Sequence, residues 1–227
     1  MNNLPDSVFV VIPALNEATV VGDVIEQVRR VCPNVVLVND GSTDETALRA
    51  RLAGAKVISH AINLGQGAAL QTGITYALRL GASHIVTFDA DGQHDPKQIP
   101  AMIESLQSGA DAALGTRFKG STIDMPMSRR LLLQAACWVN FALTGLHLSD
   151  AHNGLRAFTR SAAERLRLRQ AGMAHATEIV AQVARLQLKY VEVPVTIRYT
   201  AYSLAKGQKL SNSVHILVDL LLKGLTR

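Results

Sequence analysis

The sequence predicts an α/β fold with a mostly parallel sheet flanked by helices, and three observations carry that expectation. Short β-branched runs alternate with longer segments of helical spacing through the first 111 residues, the pattern of strand-helix-strand units. Each of those runs ends in a polar or glycine-rich turn. A chain of 227 residues with 48% hydrophobic and 18% charged side chains can bury a sizeable core, which excludes disordered, collagen-like and disulfide-scaffold classes.

Strands are expected near residues 7–12, 35–38, 56–59, 84–88 and 111–114. Between them, 18–31, 44–53, 67–80 and 96–107 repeat apolar side chains at three- and four-residue intervals, the spacing of one helix face. In an open parallel sheet the turns at 13–17, 39–43, 63–67 and 89–95 gather at one edge, where ligands bind. Beyond residue 114 the pattern changes. Residues 115–126 read as a polar loop, 127–144 as a mostly apolar helix and 154–158 as a short strand. Residues 160–168 and 174–188 have helical spacing, and 190–199 reads as an edge strand because Pro194 has no N–H to give to a ladder. The last element is an amphipathic helix over about 211–225. No linker-like composition or internal repeat divides the chain, so 1–227 is expected to form one domain.

The net charge of +5 conceals a gradient: residues 1–111 carry −5 and residues 112–227 carry +10. The two halves are therefore expected to meet different partners. Aromatic content of 4% and scattered arginines argue against a nucleic-acid partner. Cys32 and Cys137 are too few for a disulfide framework and lack metal-ligand spacing, which points to a reducing compartment. The N-terminus lacks the basic region and long apolar run of a signal peptide, so a cytoplasmic location is expected. No apolar run reaches the roughly 18 residues of a membrane span, although 131–149 carries no charge.

The strongest chemical signal is Asp89-Ala90-Asp91-Gly92-Gln93-His94-Asp95-Pro96, which closes an apolar strand. Two carboxylates at i and i+2 on a turn repel unless something compensates them, and a divalent cation does so. Mg²⁺ or Mn²⁺ prefers carboxylate oxygen and often completes its shell with diphosphate oxygens, with Gln93 or His94 as a further ligand here. Taken alone, the motif is equally a solvated turn whose Asp95 caps the next helix ahead of Pro96.

Its neighbours narrow the choice. The first strand runs into Ile12-Pro13-Ala14-Leu15-Asn16-Glu17, the second into Asn39-Asp40-Gly41-Ser42-Thr43-Asp44, and the third leads to Asn63-Leu64-Gly65-Gln66-Gly67. A dinucleotide fingerprint is excluded in the last of these, because Leu70 occupies the third glycine position. With the acidic turn, these segments resemble family 2 glycosyltransferases of GT-A fold, and more closely the polyprenyl-phosphate sugar synthases of the dolichyl-phosphate mannose synthase type. The resemblance extends over about residues 8–208.

It implies a nucleoside-diphosphate sugar held by the 1–111 half. Pro13, Ala14 and Glu17 match the family's first nucleotide-contacting turn, Asp40 its base-contacting acid, and Gly67 lies in its third nucleotide-side motif. Asp89, Asp91 and Gln93 match the metal and diphosphate group, which makes Mg²⁺ or Mn²⁺ the implied cofactor.

The 112–210 half is then the acceptor side. Arginine presents a planar fork of donors suited to phosphate oxygens. Arg117, in Gly115-Thr116-Arg117-Phe118, matches a family arginine, and Arg129 or Arg130 matches a second, with Arg130 favoured. The 150–158 segment resembles an Asp-x-x-x-Gly-Phe-Arg-x-Phe stretch in which Leu155 replaces Phe. Glu178 lies where relatives carry an acidic residue near the acceptor, and is otherwise a helix-surface carboxylate. Thr200 stands where an arginine is usual, with Arg198 and Lys206 the nearby basic alternatives.

The implied activity is inverting, metal-dependent transfer of a sugar to a polyprenyl phosphate. The enzyme would sit peripherally on the cytoplasmic face of the membrane, attached through the 211–227 helix to lipid or to a small membrane-protein partner. Two alternatives stand beside it: transfer to a saccharide hydroxyl with Glu178 as the base, and a catalytically silent nucleotide-binding partner of a membrane protein.

Overall fold

The computed structural model describes residues 4–170, 174–200 and 202–203. The expected 211–225 helix lies outside these. The strands are β1 (Val8–Ala14), β2 (Val35–Asn39), β3 (Lys56–Ser59), β4 (His84–Thr87), β5 (Ala112–Ile123), β6 (Arg156–Thr159) and β7 (Tyr190–Arg198). The helices are α1 (Val21–Arg29), α2 (Thr46–Leu52), α3 (Gln66–Arg79), α4 (Ile99–Gln107), α5 (Met127–Thr144), α6 (Arg160–Arg165) and α7 (Ala174–Arg185).

All seven strands join one sheet in the order β3-β2-β1-β4-β6-β5-β7. Pairing is parallel except on both sides of β6. The central strands are apolar throughout because both faces are covered. In β1, Val8, Val10, Ile12 and Ala14 enter one core while Phe9 and Val11 enter the other, and β2 divides the same way between Val35 and Leu37 on one face and Val36 and Val38 on the other. Residues from α1 and α4 fill the first core; residues from α3, α6 and α7 fill the second. Pro13 sits where the β1–β4 ladder has already ended at Val11 and Thr87, so its missing N–H costs no bond.

One expected element changes. Residues 115–126 are not a loop: β5 continues to Ile123 and pairs with β7 along its outer half, with an irregularity between Thr116 and Ser121. That half extends past the core, so its side chains are mostly exposed and carry no apolar alternation. Backbone bonds and a 2.8 Å contact between Ser121 Oγ and Thr196 Oγ1 hold it instead. β7 is the edge strand, with exposed Pro194, as the proline requires. Asp95 caps its turn as expected, accepting from the Lys97 N–H at 3.0 Å ahead of Pro96.

Helix α3 lies so close to the sheet that a Cβ at Gly73 would collide with the side chains of Val11 and Val38, whereas one at Gly22 in α1 would meet nothing. Replacing a helical glycine by alanine gains up to about 1 kcal/mol in propensity, but overpacking a filled core costs about 1–3 kcal/mol. Urea denaturation should therefore show Gly22→Ala stabilised by about 0.5 kcal/mol and Gly73→Ala destabilised by about 1–2 kcal/mol.

Candidate active site

The turns after β1 and β2 leave the sheet at the same edge, and hydrogen bonds lace them together. The N–H groups of Asn16, Glu17 and Ala18 donate to Ser42 Oγ (2.9 Å), Thr46 Oγ1 (2.8 Å) and Asp44 Oδ2 (3.1 Å). The Thr43 N–H returns a bond to Asn16 Oδ1 at 2.9 Å. Asp40 is turned into the protein. It accepts from His60 Nδ1 at 2.7 Å and from the N–H groups of Leu64 and Gly65 at 3.0 and 2.7 Å. The tight turn after β3 presents N–H groups that no strand receives, and Asp40, expected to be a base-contacting acid, receives them.

Gln66 continues the chain of contacts, donating from Nε2 to Asp89 Oδ1 at 3.2 Å. His94 Nε2 donates to Asp89 Oδ2 at 3.1 Å, so in this structure that ring nitrogen is spent on holding the aspartate. A Cβ at Gly154 would overlap the Asp89 carboxylate; only glycine leaves it room. Thr87 Oγ1 donates to the Gly154 carbonyl at 2.8 Å and clamps the two segments together. Beneath them, buried Arg156 donates to the Ala151 carbonyl at 3.0 Å and to the Ala176 carbonyl at 3.4 Å. Burial lowers its guanidinium to about 10 against the opposing pull of Asp89 and Asp150, so it stays charged at neutral pH.

The two acidic residues differ in electrostatic state. Burial opposes ionisation of Asp89, but His94, His175 and Arg156 outweigh it and hold the carboxyl below its ordinary value. Asp91 is raised to about 6, first by burial and then by Asp89, with His94 only partly offsetting them. The pair thus carries negative charge that its protein neighbours leave partly uncompensated. Among the described residues no three His, Cys, Asp or Glu side chains converge to cage an ion. Two carboxylates with open coordination fit a hard divalent cation that takes its other ligands from a diphosphate and water.

Gln93 is fixed through its backbone: its N–H donates to Asp91 Oδ1 at 3.1 Å and its carbonyl accepts from the Arg198 N–H at 3.0 Å. Pro13 and Ala14 end β1 at this edge, and buried Glu17 accepts from the Tyr202 hydroxyl at 2.7 Å. Burial and Glu17 push that phenol well above its usual range. Gly67, in the first turn of α3, packs against the Gln170 carbonyl and His175, so its missing side chain serves close packing with the 112–210 half.

The arginines are placed differently from expectation. Arg117 is buried: its Nε donates to Asp150 at 2.6 Å, its Nη1 to the Tyr199 hydroxyl at 2.7 Å and its Nη2 to the His152 carbonyl at 3.1 Å. It ties the 150–152 segment to the end of β7 from within. Arg130 is exposed, whereas the Arg129 guanidinium lies 5.3 Å from the centre of the Tyr199 ring, beside Arg117. Position 129 therefore joins the arginine group, and position 130 does not. Glu178 accepts from the N–H groups of Arg169 (3.0 Å to each oxygen) and Gln170 (2.9 Å), anchoring the segment before α7. Gln66, Arg156, Tyr199 and Tyr202 were not singled out in sequence; only Gln66 and Arg156 stand inside recognisable motifs.

A sheet of this order, with its acidic turn and strand-end motifs at one edge, is the GT-A fold of a glycosyltransferase. Residues 9–167 match Glycosyl transferase family 2, and the chain belongs to that family. It is 30% identical over 240 residues to the UDP-N-acetylglucosamine–dolichyl-phosphate N-acetylglucosaminyltransferase of Methanococcus voltae, covering 95% of each chain. It is 32% identical over 201 residues to the polyprenol monophosphomannose synthase of Mycolicibacterium smegmatis, covering 83% of this chain and 76% of that one. Among solved structures, glucosyl-3-phosphoglycerate synthase from Mycobacterium tuberculosis, crystallised with Mn²⁺, UDP-glucose and phosphoglyceric acid, superposes with a TM-score of 0.71. That match has 19% identity and covers 96% of this chain and 79% of that chain.

His152, between the two charge clusters, has its own pH signature. Burial, then Arg156, lowers its imidazole from 6.5 to about 4. The unfolded chain takes up this proton near 6.5 and the folded chain only near 4, so stability falls as pH drops through that window. At about 1.36 kcal/mol per unit, the His152 contribution to that loss is on the order of 3 kcal/mol. Asp91, raised to about 6, contributes with the opposite sign over nearly the same window, so the His152 share is read as a difference. In urea titrations His152→Gln should gain stability relative to wild type as pH falls from 6.5 to 4, and His84, lowered by burial, adds in the direction of His152.

Proposed function

We propose that this glycosyltransferase moves a hexose-type sugar from a nucleoside diphosphate to a polyprenyl phosphate at the membrane surface, with inversion and with the help of Mg²⁺ or Mn²⁺. One observation carries the reading: the 150–156 segment touches both groups, the acidic turn through Gly154 against the Asp89 carboxylate and the arginine group through Asp150 and the His152 carbonyl on Arg117. A nucleoside diphosphate with its cation fits the acidic side, and an anionic acceptor fits the other. The names of the relatives support the acceptor class, while the sugars in those names differ.

The chemistry suits such an acceptor. A phosphate monoester has its second pKa near about 6, so at neutral pH its oxygen is already a nucleophile and no side chain need remove a proton. It attacks the anomeric carbon as the bond to the diphosphate breaks, a single displacement that inverts the centre. Glu178, the base that a hydroxyl acceptor would demand, has both carboxylate oxygens engaged by backbone N–H groups, which favours the phosphate. Arg129 stands in the first turn of α5, where the helix dipole is already positive, an arrangement that an anion relieves. Arg117 acts behind it through Tyr199. Asp89 and Asp91, with Gln93 as a further ligand, would hold the cation, which would supply positive charge for the departing diphosphate.

Sugar transfer to a short-chain, water-soluble prenyl phosphate tests the assignment, using a panel of nucleotide sugars with Mn²⁺. Asp91→Asn should lower turnover by about 100-fold or more and abolish metal-dependent nucleotide binding while thermal unfolding stays cooperative. Arg129→Ala should raise the acceptor KM by about 10- to 100-fold, as expected for losing a charge-assisted bond of about 1.5–3 kcal/mol, and leave nucleotide affinity unchanged. Arg130→Ala should stay within about twofold of wild type. A loss of nucleotide affinity in Arg129→Ala would move that residue to the donor side.

A further inference from the structure

Helix α5 has an inner and an outer face, and nothing in the mechanism uses the outer one. The inner positions 129, 133, 136 and 140 follow helical spacing; Ala136 and Asn140 on that line are buried, and Cys137 packs against the Leu114–Leu148–Ala151–Val180 cluster. The outer positions 127, 131, 138 and 142 recur at the same spacing. There Met127 is 67% exposed, Leu131 61% and Trp138 71%. Buried-type side chains left open in a row mark an interaction surface, whereas singly scattered ones do not.

We propose that this face is the surface on which the protein docks onto an anionic lipid bilayer, lying in the headgroup layer so that the acceptor phosphate reaches Arg129. This rests on the acceptor reading above and names the surface that reading requires. Four features favour a bilayer over a protein. The stripe is one helix wide and offers on the order of a few hundred Å² of apolar area, short of the roughly 1,200 Å² at which specific protein interfaces begin. A bilayer demands no matching shape. Its flank carries more basic than acidic charge: Arg130 is exposed beside the stripe, and exposed Arg198 is the cross-strand partner of Ile123, itself 38% exposed, against one exposed carboxylate at Asp124. That charge complements an anionic leaflet. Trp138 has the amphipathic ring that suits the boundary between headgroup and acyl chain. Finally, the same helix carries Arg129 on its inner side, so docking the outer face sets the arginine group at headgroup depth. No helix among the described residues is long and apolar enough to cross a membrane, which leaves α5 suited to lying on one.

Trp138 is the single tryptophan of the chain, so its fluorescence reports on this face alone. The full chain is mixed with vesicles of phosphatidylglycerol and phosphatidylethanolamine, and separately with phosphatidylcholine vesicles. The anionic vesicles should blue-shift the emission, and brominated acyl chains should quench it; phosphatidylcholine should do so weakly. Leu131→Gln combined with Met127→Gln should lower partitioning roughly tenfold or more. The same double variant should retain wild-type transfer to the short-chain acceptor in free solution and lose transfer to long-chain polyprenyl phosphate in vesicles. Flotation with an unchanged Trp138 spectrum would overturn the proposal and place attachment elsewhere on the chain. An emission maximum already blue without lipid, accompanied by a dimer in sedimentation, would overturn it in favour of a second copy. Vesicle docking with no transfer to any prenyl phosphate would instead refute the acceptor reading and leave the surface standing as a lipid-binding face.

Discussion

The site depends on keeping one crowded, only partly exposed carboxylate ionised at the sheet edge. An anion taken out of water must be paired and hydrogen-bonded, or it neutralises or relocates. Asp89 meets that requirement with donors from α3 and from the acidic turn and a guanidinium from β6, while the missing side chain of Gly154 leaves it space. None of these neighbours is adjacent in sequence to all the others. The antiparallel insertion of β6 beside β4 brings them together: Thr87 at the end of β4 pairs with Arg156 at the start of β6, so the 150–154 segment arrives at the edge where the parallel strands end. Had β6 run parallel, that segment would lie at the opposite edge.

Much of this was legible in the sequence, for physical reasons that differ by element. β1, β2 and β4 are buried on both faces, so their composition is dominated by one requirement, and the strand-end turns follow directly. The outer half of β5 was read as a loop because a strand segment that runs past the core is held by ladder bonds that leave no apolar signature. The antiparallel direction of β6 has no local signal either, since four residues pair equally well in either sense until the chain before them is placed.

The site divides along the same line. Asp89 and Asp91 were recognisable because two nearby carboxylates on a turn demand an explanation. Asp40 and Gly67 stand in recognisable strand-end motifs, and the structure adds that Asp40 holds the turn after β3 and that Gly67 admits Gln170 and His175. In both, the residue type was informative and its direction was not, because direction is set by contacts distant in sequence. Tyr199 and Tyr202 carried no signal at all. A tyrosine near a strand end is unremarkable until its hydroxyl is found on Arg117 or Glu17.

The arginines show how periodicity decides what a dipeptide cannot. Arg129 and Arg130 are chemically equivalent neighbours, yet one residue of helix turns a side chain by about 100°. Position 129 shares its line with buried 136 and 140 and so faces Tyr199; position 130 is carried to the exposed flank. The same rotation separates the inner line from Met127, Leu131 and Trp138. One helix can therefore hold a charge at the reaction side and apolar groups at the outer side, a separation of about one helix diameter, 10–12 Å. An acceptor whose phosphate sits in the headgroup layer and whose chain lies in hydrocarbon presents its own charge and apolar body at a comparable distance. The proposed docking face and the proposed phosphate contact thus require the same geometry, and α5 provides it without a separate anchor for each.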